Sequence, residues 1–472
     1  MSLFFDLKTF GARSALFMEN EVWTYNKLHE MSETIAAMMS PRSLAFLVCS
    51  NTPTSIAAYV GCINHGIVPV MVDKDLDQEL LQNLLEQYAP TYIFAEDVYF
   101  DVLNRYTQIL HVESHALYNM KETHTVHLHD DLALLMTTSG STGSPKLVRQ
   151  SYENLRANTA SIVEYLHLDE TERAVTNLPL HYVYGLSILN THLAVGASIV
   201  VTEKTLFDRS FWQLVREQEV TNLGGVPYTY AMLKRLRFFR MNLPSLHTLT
   251  QAGGKLDPEL HTEFAEYAAQ TGKSFVVMYG AAEATARMGY LPPQDALEKI
   301  GAMGIAIPGG TFELMDESGA VITATGTIGE LVYYGANVTL GYATSGADLA
   351  RGDERHGRYE TGDLAQRDED GFYTIVGRKR RFLKLFGKRT NLQEVEHLLR
   401  QHFGEIEVAC AGVDDHLYVF VTQEALTSEI VPFLSAKLGL HHTALTAKQI
   451  AEIPKNASGK TVYRDLEQYY DV

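Results

Sequence analysis

The stretch TTSGSTGSPK, Thr137–Lys146, follows directly on the apolar run LALLM, Leu132–Met136. It carries six hydroxyls, two glycines, one proline and one lysine. Such a segment packs no core. A glycine- and hydroxyl-rich turn after a buried strand gathers backbone N–H groups where they can cradle phosphate oxygens. Two familiar phosphate-binding spacings do not fit it. In GxxxxGK[ST] the sixth position must be glycine, and counted from Gly140 it is Pro145. Nor does the stretch contain GxGxxG, the fingerprint of dinucleotide folds.

On its N-terminal side, SLAFLVCS (Ser43–Ser50), VPVMV and TYIFA read as strands. Between them lie two helical patterns. TSIAAYVGCINHG closes on Gly66 as a C-cap, and DQELLQNLLEQYA puts Leu80, Leu81, Leu84 and Leu85 on one face. Strand–helix–strand alternation implies right-handed parallel crossovers and an α/β layered domain. The pattern recurs at ASIVVT (Ala197–Thr202) and SFVVMYG (Ser274–Gly280). After about Gly301 the texture changes to short β runs, FELMD, IGELVYYG and GFYTIVG, which predict a small β-module. A basic cluster comes next, GRKRRFLKLFGKR (Gly377–Arg389). Beyond it, NLQEVEHLLRQH and SEIVPFLSAKLG read as helices and EVACAGV and LYVFVTQ as strands. The expected fold is therefore α/β: a large N-terminal domain of layered α/β subdomains plus a β-module over residues 1–379, then a small α+β domain over residues 380–472.

The totals agree. A chain of 472 residues exceeds the size, roughly 250–300 residues, at which one core stops growing. A net charge of −18 argues against nucleic acid as a partner. Cys49, Cys62 and Cys410 form no CxxC pair and predict buried, reduced thiols. The N-terminal residues lack a basic segment followed by a long apolar one, and no run of eighteen apolar residues occurs. A cytoplasmic protein without a membrane span is expected.

LMTTSGSTGSPK resembles the phosphate-loop signature of the acyl-adenylate-forming enzymes, the AMP-dependent synthetases and ligases that include acyl-CoA synthetases, adenylation domains and luciferases. Further motifs occur in that family's order and span most of the chain. The resemblance implies that Thr138, Ser139, Gly140, Ser141, Thr142, Gly143 and Lys146 hold ATP phosphates. MYGAAEATARMGYLPP resembles the YGxTE motif, in which Tyr279 and Gly280 would meet the adenine and Glu283 would bind Mg²⁺. One protein carboxylate suits that ion, which takes oxygen ligands and few of them from protein. Here Ala282 replaces the usual threonine. QAGGKL puts Gly253 and Gly254 near the adenine. YETGDLAQRDEDGFYTIVGRKRR resembles the motifs in which Asp363 accepts the ribose hydroxyls and Arg378 holds ribose or phosphate. The domain pivot, usually Asp or Lys, is Arg380. In FLKLFGKRTNLQEVE, Gly387 would line the passage for a pantetheine arm. In PKNASGK, Lys460 would reach the reacting carboxylate, with Lys455 its bland neighbour.

The chemistry implied is acyl-AMP formation with loss of pyrophosphate, then transfer to a thiol after the small domain rotates. NLPLHYVYGLS resembles the segment lining the acid pocket, with Tyr182 as an aromatic gate and Val183 where amino-acid-activating relatives hold an aspartate. A valine cannot pair with an ammonium, so an apolar aliphatic or aromatic acid is expected in place of an α-amino acid. Gly224, Gly225 and Gly253 leave room in this pocket. The expected acceptor is the phosphopantetheine of an acyl carrier protein. Free CoA is the alternative, and a nucleotide-binding regulator without chemistry is the rival from another class.

Overall fold

The structure is a computed structural model and describes residues 4–76, 78–96, 105–121, 126–137, 146–385, 388–413, 415–438, 440–456 and 459–470. These fall into two compact units. Unit 1 comprises Met1–Phe312 with Tyr333–Tyr359, and unit 2 comprises Glu313–Val332 with Glu360–Val472.

Unit 1 is layered α/β. One sheet runs, in spatial order, Gly341–Ala343, Leu147–Ser151, Leu132–Thr137, Val68–Asp73, Leu44–Cys49, Tyr92–Glu96, His115–Met120 and Tyr106–Val112. Its central four strands are parallel, as the crossovers predict. The flanking strands are antiparallel. A second sheet runs Ile305–Ala306, Gly289–Tyr290, Ser274–Tyr279, Thr248–Gln251, Asn222–Gly225, Arg173–Val175, Ser198–Val200, Ser14–Phe17 and Val22–Thr24. It too is parallel through its middle.

One apolar cluster joins the two layers. Leu47, Met71, Leu134 and Met136 of the first sheet and Leu16 and Ile199 of the second pack with Ile56 and Val60 of helix Pro53–Asn64 and Leu189 and Leu193 of helix Val183–Val195. Helix Pro53–Asn64 starts where its sequence says it should: the Thr52 side chain accepts from the Ser55 N–H at 3.2 Å, and Pro53 occupies the first turn. It ends at His65, with Gly66 at φ +72°. In helix Gln78–Tyr88, Leu81, Leu84 and Leu85 are buried, while Leu80 is only half-buried and Tyr88 completes the face.

Unit 2 contains most of a sheet ordered Gly310–Met315, Gly329–Gly335, Arg358–Arg367, Tyr373–Arg378, whose first three strands have residues in both units. It also holds a three-stranded sheet, Val408–Val413, His416–Val421 and Leu445–Gln449. Helices Leu392–Phe403 and Thr427–Leu438 cover the latter through Leu392, Val395, Leu399, Ile430 and Leu434. Sequence alone draws the boundary at 379/380, whereas here Glu313–Val332 and Glu360–Lys379 group with the C-terminal residues. Helix Leu392–Phe403 lies against strand Tyr373–Arg378, which ties the β-module to the C-terminal α+β residues.

All three cysteines are free and buried. Burial pushes all three thiols well above their ordinary range, that of Cys49 up to about 12, so all three stay protonated. No described helix is long and apolar enough to cross a membrane.

Candidate active site

Strands Leu132–Thr137 and Leu147–Ser151 are antiparallel neighbours, with Thr137 opposite Leu147. The chain therefore leaves the sheet after Thr137 and is back in it at Leu147, at the same end of these two strands. Thr138, Ser139, Gly140, Ser141, Thr142 and Gly143 lie outside the described residues. Lys146, at the exit, sets its ammonium 3.2 Å from the ring centroid of Tyr342. Register explains the meeting, because Tyr342 pairs with Val148 in strand Gly341–Ala343.

The phenol of Tyr342 also donates to Oε1 of Glu283. Burial, then the nearby Glu283 charge, pushes that phenol up to about 12, so it remains a donor at neutral pH. Glu283 sits in a tight turn, Ala282–Ala284, after strand Ser274–Tyr279. Its carbonyl oxygen accepts from the Thr339 N–H, the Thr339 hydroxyl and Arg355 Nη1, each at 3.0 Å. The Arg355 guanidinium lies 4.6 Å from the Tyr342 centroid and 5.1 Å from that of Tyr359. Gly280 explains the tightness of the turn, because a Cβ there would fall 1.7 Å from the Ala286 carbonyl oxygen. Tyr279, at the strand's end, packs its ring 6.3 Å from Phe312.

Arg149 holds the segment that carries Tyr342 and Arg355. This buried arginine donates from Nε to Tyr342 O at 3.1 Å and from its terminal nitrogens to Leu340 O, Arg351 O, Gly352 O and the Glu354 carboxylate. The planar five-donor fork makes this possible.

Among the described residues no cluster of three or more His, Cys, Asp or Glu is assembled. The donor set fits a divalent cation that arrives on phosphate oxygens, for which one or two carboxylates suffice. Glu283 is half-buried, and Tyr342 engages its Oε1.

The residues expected at an acid pocket come together only in part. Tyr182 caps helix Val183–Val195, and Val183 is half-buried at its first turn. A Cβ on Gly253 (φ +87°) would lie 2.6 Å from the Tyr182 hydroxyl. One on Gly224 would lie 2.9 Å from Ile188 Cδ1 and 3.2 Å from the Tyr184 hydroxyl, so both glycines let side chains pack against the backbone where a Cβ would collide. Gly225 differs, since its Cβ would meet Thr229 and Tyr230, the following helix itself. Gly254 faces Pro227.

In unit 2, Asp363 and Arg378 are register partners across antiparallel strands, and Arg378 Nε donates to Asp363 Oδ1 at 3.0 Å. Arg380 lies in the turn Lys379–Arg381. Gly387 lies outside the described residues. Lys460 closes a turn in which its N–H donates to Asn456 Oδ1 and Asn456 N–H donates back to its carbonyl, both at 2.9 Å. Lys455 pairs with exposed Glu407. Three cations of the basic cluster are neutralised within the unit: Arg378 by Asp363, Lys379 by Glu330, and Arg381 by Glu396.

Sequence reading missed Tyr342, Arg355, Arg149 and Arg287. The first three act through partners 59 to 205 positions away. Arg287 carried a local signal, an arginine four residues after the motif glutamate.

Residues 5–343 match the family model of the AMP-binding enzymes. The chain is 26% identical to the 2-succinylbenzoate–CoA ligase of Bacillus licheniformis over 474 residues, 96% of each chain. It is 30% identical to the sulfoacetate–CoA ligase of Cupriavidus necator over 342 residues, 70% of this chain and 66% of that one. The O-succinylbenzoate coenzyme A synthetase from Bacillus subtilis, solved with ATP and magnesium ion, shares the fold at a TM-score of 0.78 and 21% identity, over 98% of both chains. The chain belongs to the AMP-binding enzyme family, as an AMP-forming acid–thiol ligase.

Proposed function

We propose that this protein couples a small carboxylic acid to the α-phosphate of ATP, releases pyrophosphate, and passes the acyl group to the thiol of free CoA. The observation that carries the first step is Glu283, its carboxylate held by the Tyr342 phenol and its backbone carbonyl by Thr339 and Arg355, with Lys146 against the same tyrosine. It supplies one anionic ligand and two cations at the exit of a hydroxyl-rich loop, which suits a magnesium–polyphosphate. Magnesium, when bound, neutralises charge on the phosphates. Asp363 has the chemistry to accept from ribose hydroxyls, and Arg378 beside it to hold ribose or phosphate oxygen. Lys460 would supply the positive charge needed while carboxylate and phosphate, both anionic, approach each other. Arg380 would be the pivot between a domain of residues 1–379 and one of residues 380–472, and Gly387 would give the thiol arm room to pass.

The expectation of a carrier protein as acceptor gives way. The relatives from Bacillus licheniformis and Cupriavidus necator are CoA ligases, and three cations of the cluster that would greet an acidic carrier domain are already paired. A cytoplasmic setting, where ATP and CoA are available, fits this reading. Val183 and the absence of a described carboxylate at the helix start speak against an α-amino acid.

Acid-dependent exchange of labelled pyrophosphate into ATP over a broad acid panel tests the first step. Thioester formation with CoA and with a pantetheinylated carrier protein tests the second. Exchange without any acid dependence would sink the ligase reading, and turnover with the carrier protein alone would restore it as acceptor.

A further inference from the structure

Arg287 lies in the segment after Glu283 and is 2% exposed. Its backbone is pinned from two sides, since its carbonyl oxygen accepts from Asn158 Nδ2 at 3.0 Å and from Asn337 Nδ2 at 2.8 Å. Its side chain is treated differently. The guanidinium lies over the ring of Tyr184, Cζ 4.0 Å from the centroid. Its Nε, sealed from solvent, has no hydrogen-bond partner, and among the described residues no carboxylate pairs with it. Among the described residues the other fully buried arginine, Arg149, has Glu354 and four carbonyls, and the half-buried Arg42, whose Nε also lacks a partner, still gives its terminal nitrogens to Leu132 O and His129 O. A buried cation left with only an aromatic face is incomplete, because burial removes its water and nothing of opposite charge replaces it.

Its surroundings are those expected for the acid. Tyr184, beneath the guanidinium, donates to Thr250 O at 2.8 Å, and its hydroxyl packs close against the backbone of Gly224. The ring of Tyr182 is 6.3 Å from that of Tyr184, and its hydroxyl packs against the backbone of Gly253. The residues expected to line the acid site thus lie beside a buried guanidinium that stacks on Tyr184 and keeps an unpartnered Nε.

We propose that Arg287 pairs with a second anionic group on the acid substrate, a carboxylate or sulfonate distinct from the carboxylate that is adenylated. This rests on the acid-ligase reading and sharpens it. The acid is apolar where it passes Val183 and anionic where it reaches Arg287, so a purely apolar monocarboxylic acid fills only part of the site. A guanidinium fork matches a planar or tetrahedral oxyanion through two parallel N–H donors.

The test is pyrophosphate exchange with the full-length wild-type enzyme on symmetric aliphatic and aromatic diacids, their mono-methyl esters, and sulfo-carboxylic acids. The best acids should carry a second anion, and methylating it should lower kcat/KM by about 10² or more, because a buried charge is left unpaired. Arg287→Met should remove most of that difference, acting chiefly on KM for the diacid and leaving KM for ATP unchanged. Arg287→Lys should keep part of the preference. The idea is overturned if half-esters or neutral acids serve wild type as well as diacids, or if Arg287→Met weakens diacid and ester alike. Should the variants not fold, the wild-type comparison of diacid with half-ester decides alone. Exchange with some acid but no preference for a second charge removes only this inference. Exchange with no acid at all removes the ligase reading and this inference with it.

Discussion

The phenol of Tyr342 donates to the Glu283 carboxylate across 59 positions of chain, while Lys146 lies against the same ring. A hydrogen bond to a charged acceptor contributes roughly 1.5–3 kcal/mol. Tyr342→Phe keeps the ring and its cation contacts and removes only that donor. We expect pyrophosphate exchange to fall by about tenfold or more, with a raised magnesium requirement. CoA acylation from chemically supplied acyl-AMP should be nearly unchanged. Equal loss in both half-reactions would mean that Tyr342 supports the fold and does not orient Glu283.

Lys460 and Gly387 should separate the two half-reactions. Lys460→Ala removes a charge needed while two anions approach, which costs roughly 10²–10³ in exchange rate. Transfer from supplied acyl-AMP should survive it. Gly387→Leu should do the reverse, sparing exchange and blocking thioester formation. Lys455→Ala, which breaks only the exposed pair with Glu407, should alter neither. If Lys460→Ala and Gly387→Leu damage both steps alike in folded protein, a rotating small domain is not part of this mechanism.

Stability in unit 2 should depend on one carboxylate. Glu396, 2% exposed, accepts from Arg381 at 2.7 Å, from the Cys410 N–H at 2.8 Å and from the Tyr463 hydroxyl at 3.2 Å. Arg381 also stacks 3.6 Å from the Tyr463 centroid. Breaking a buried pair on one side typically costs about 3–5 kcal/mol. Glu396→Ala should lower hydrogen-exchange protection across residues 381–470 and leave unit 1 protected. Since Tyr463 comes three residues after Lys460, exchange activity should fall with it. Unchanged protection would show that the cluster is dispensable.

Acid should weaken unit 1 through His192. Its Nδ1 faces Ile188 O at 2.8 Å, so that nitrogen carries the hydrogen, and Nε2 accepts from Asn222 Nδ2 at 2.9 Å. Burial holds this imidazole below its ordinary value of 6.5. A folded-state value below the unfolded one means that stability is full above about pH 6.5 and is lost as pH falls toward the folded value, because the unfolded chain takes up a proton that the folded chain refuses. One such group contributes a slope of up to about 1.4 kcal/mol per pH unit. His192→Gln should flatten the dependence of unfolding free energy on pH between about 6.5 and 5. An identical slope in wild type and variant would show that His192 is not responsible.

Much of this was legible in the sequence, for physical reasons. The parallel strands are continuous apolar runs bounded by turn residues, so Leu44–Cys49, Val68–Asp73 and Ser274–Tyr279 announce themselves. Asp363 and Arg378 could be named from their motif, but not that they would be cross-strand partners, because register is set by the whole hairpin. Strand Leu147–Ser151 was hidden by its content, since it reads LVRQS and buries an arginine and a glutamine. Its arginine is tolerated only because residues 340–354 bring acceptors from far along the chain. Arg287 was overlooked because a charged residue in a loop reads as solvated until its burial is seen.

The 1.7 Å that separates a hypothetical Cβ at Gly280 from the Ala286 oxygen has a practical meaning for mutational scanning. A survey scored by activity alone would rank Gly280 beside Glu283, although the one offers charge and the other only emptiness. Every replacement at Gly280, alanine included, would force the backbone apart and displace the nearby carboxylate, with no chemistry of its own to lose. Inactivity at that position reports a shape, and calorimetry would tell it from the inactivity of a neutralised Glu283, whose fold has no such collision to relieve.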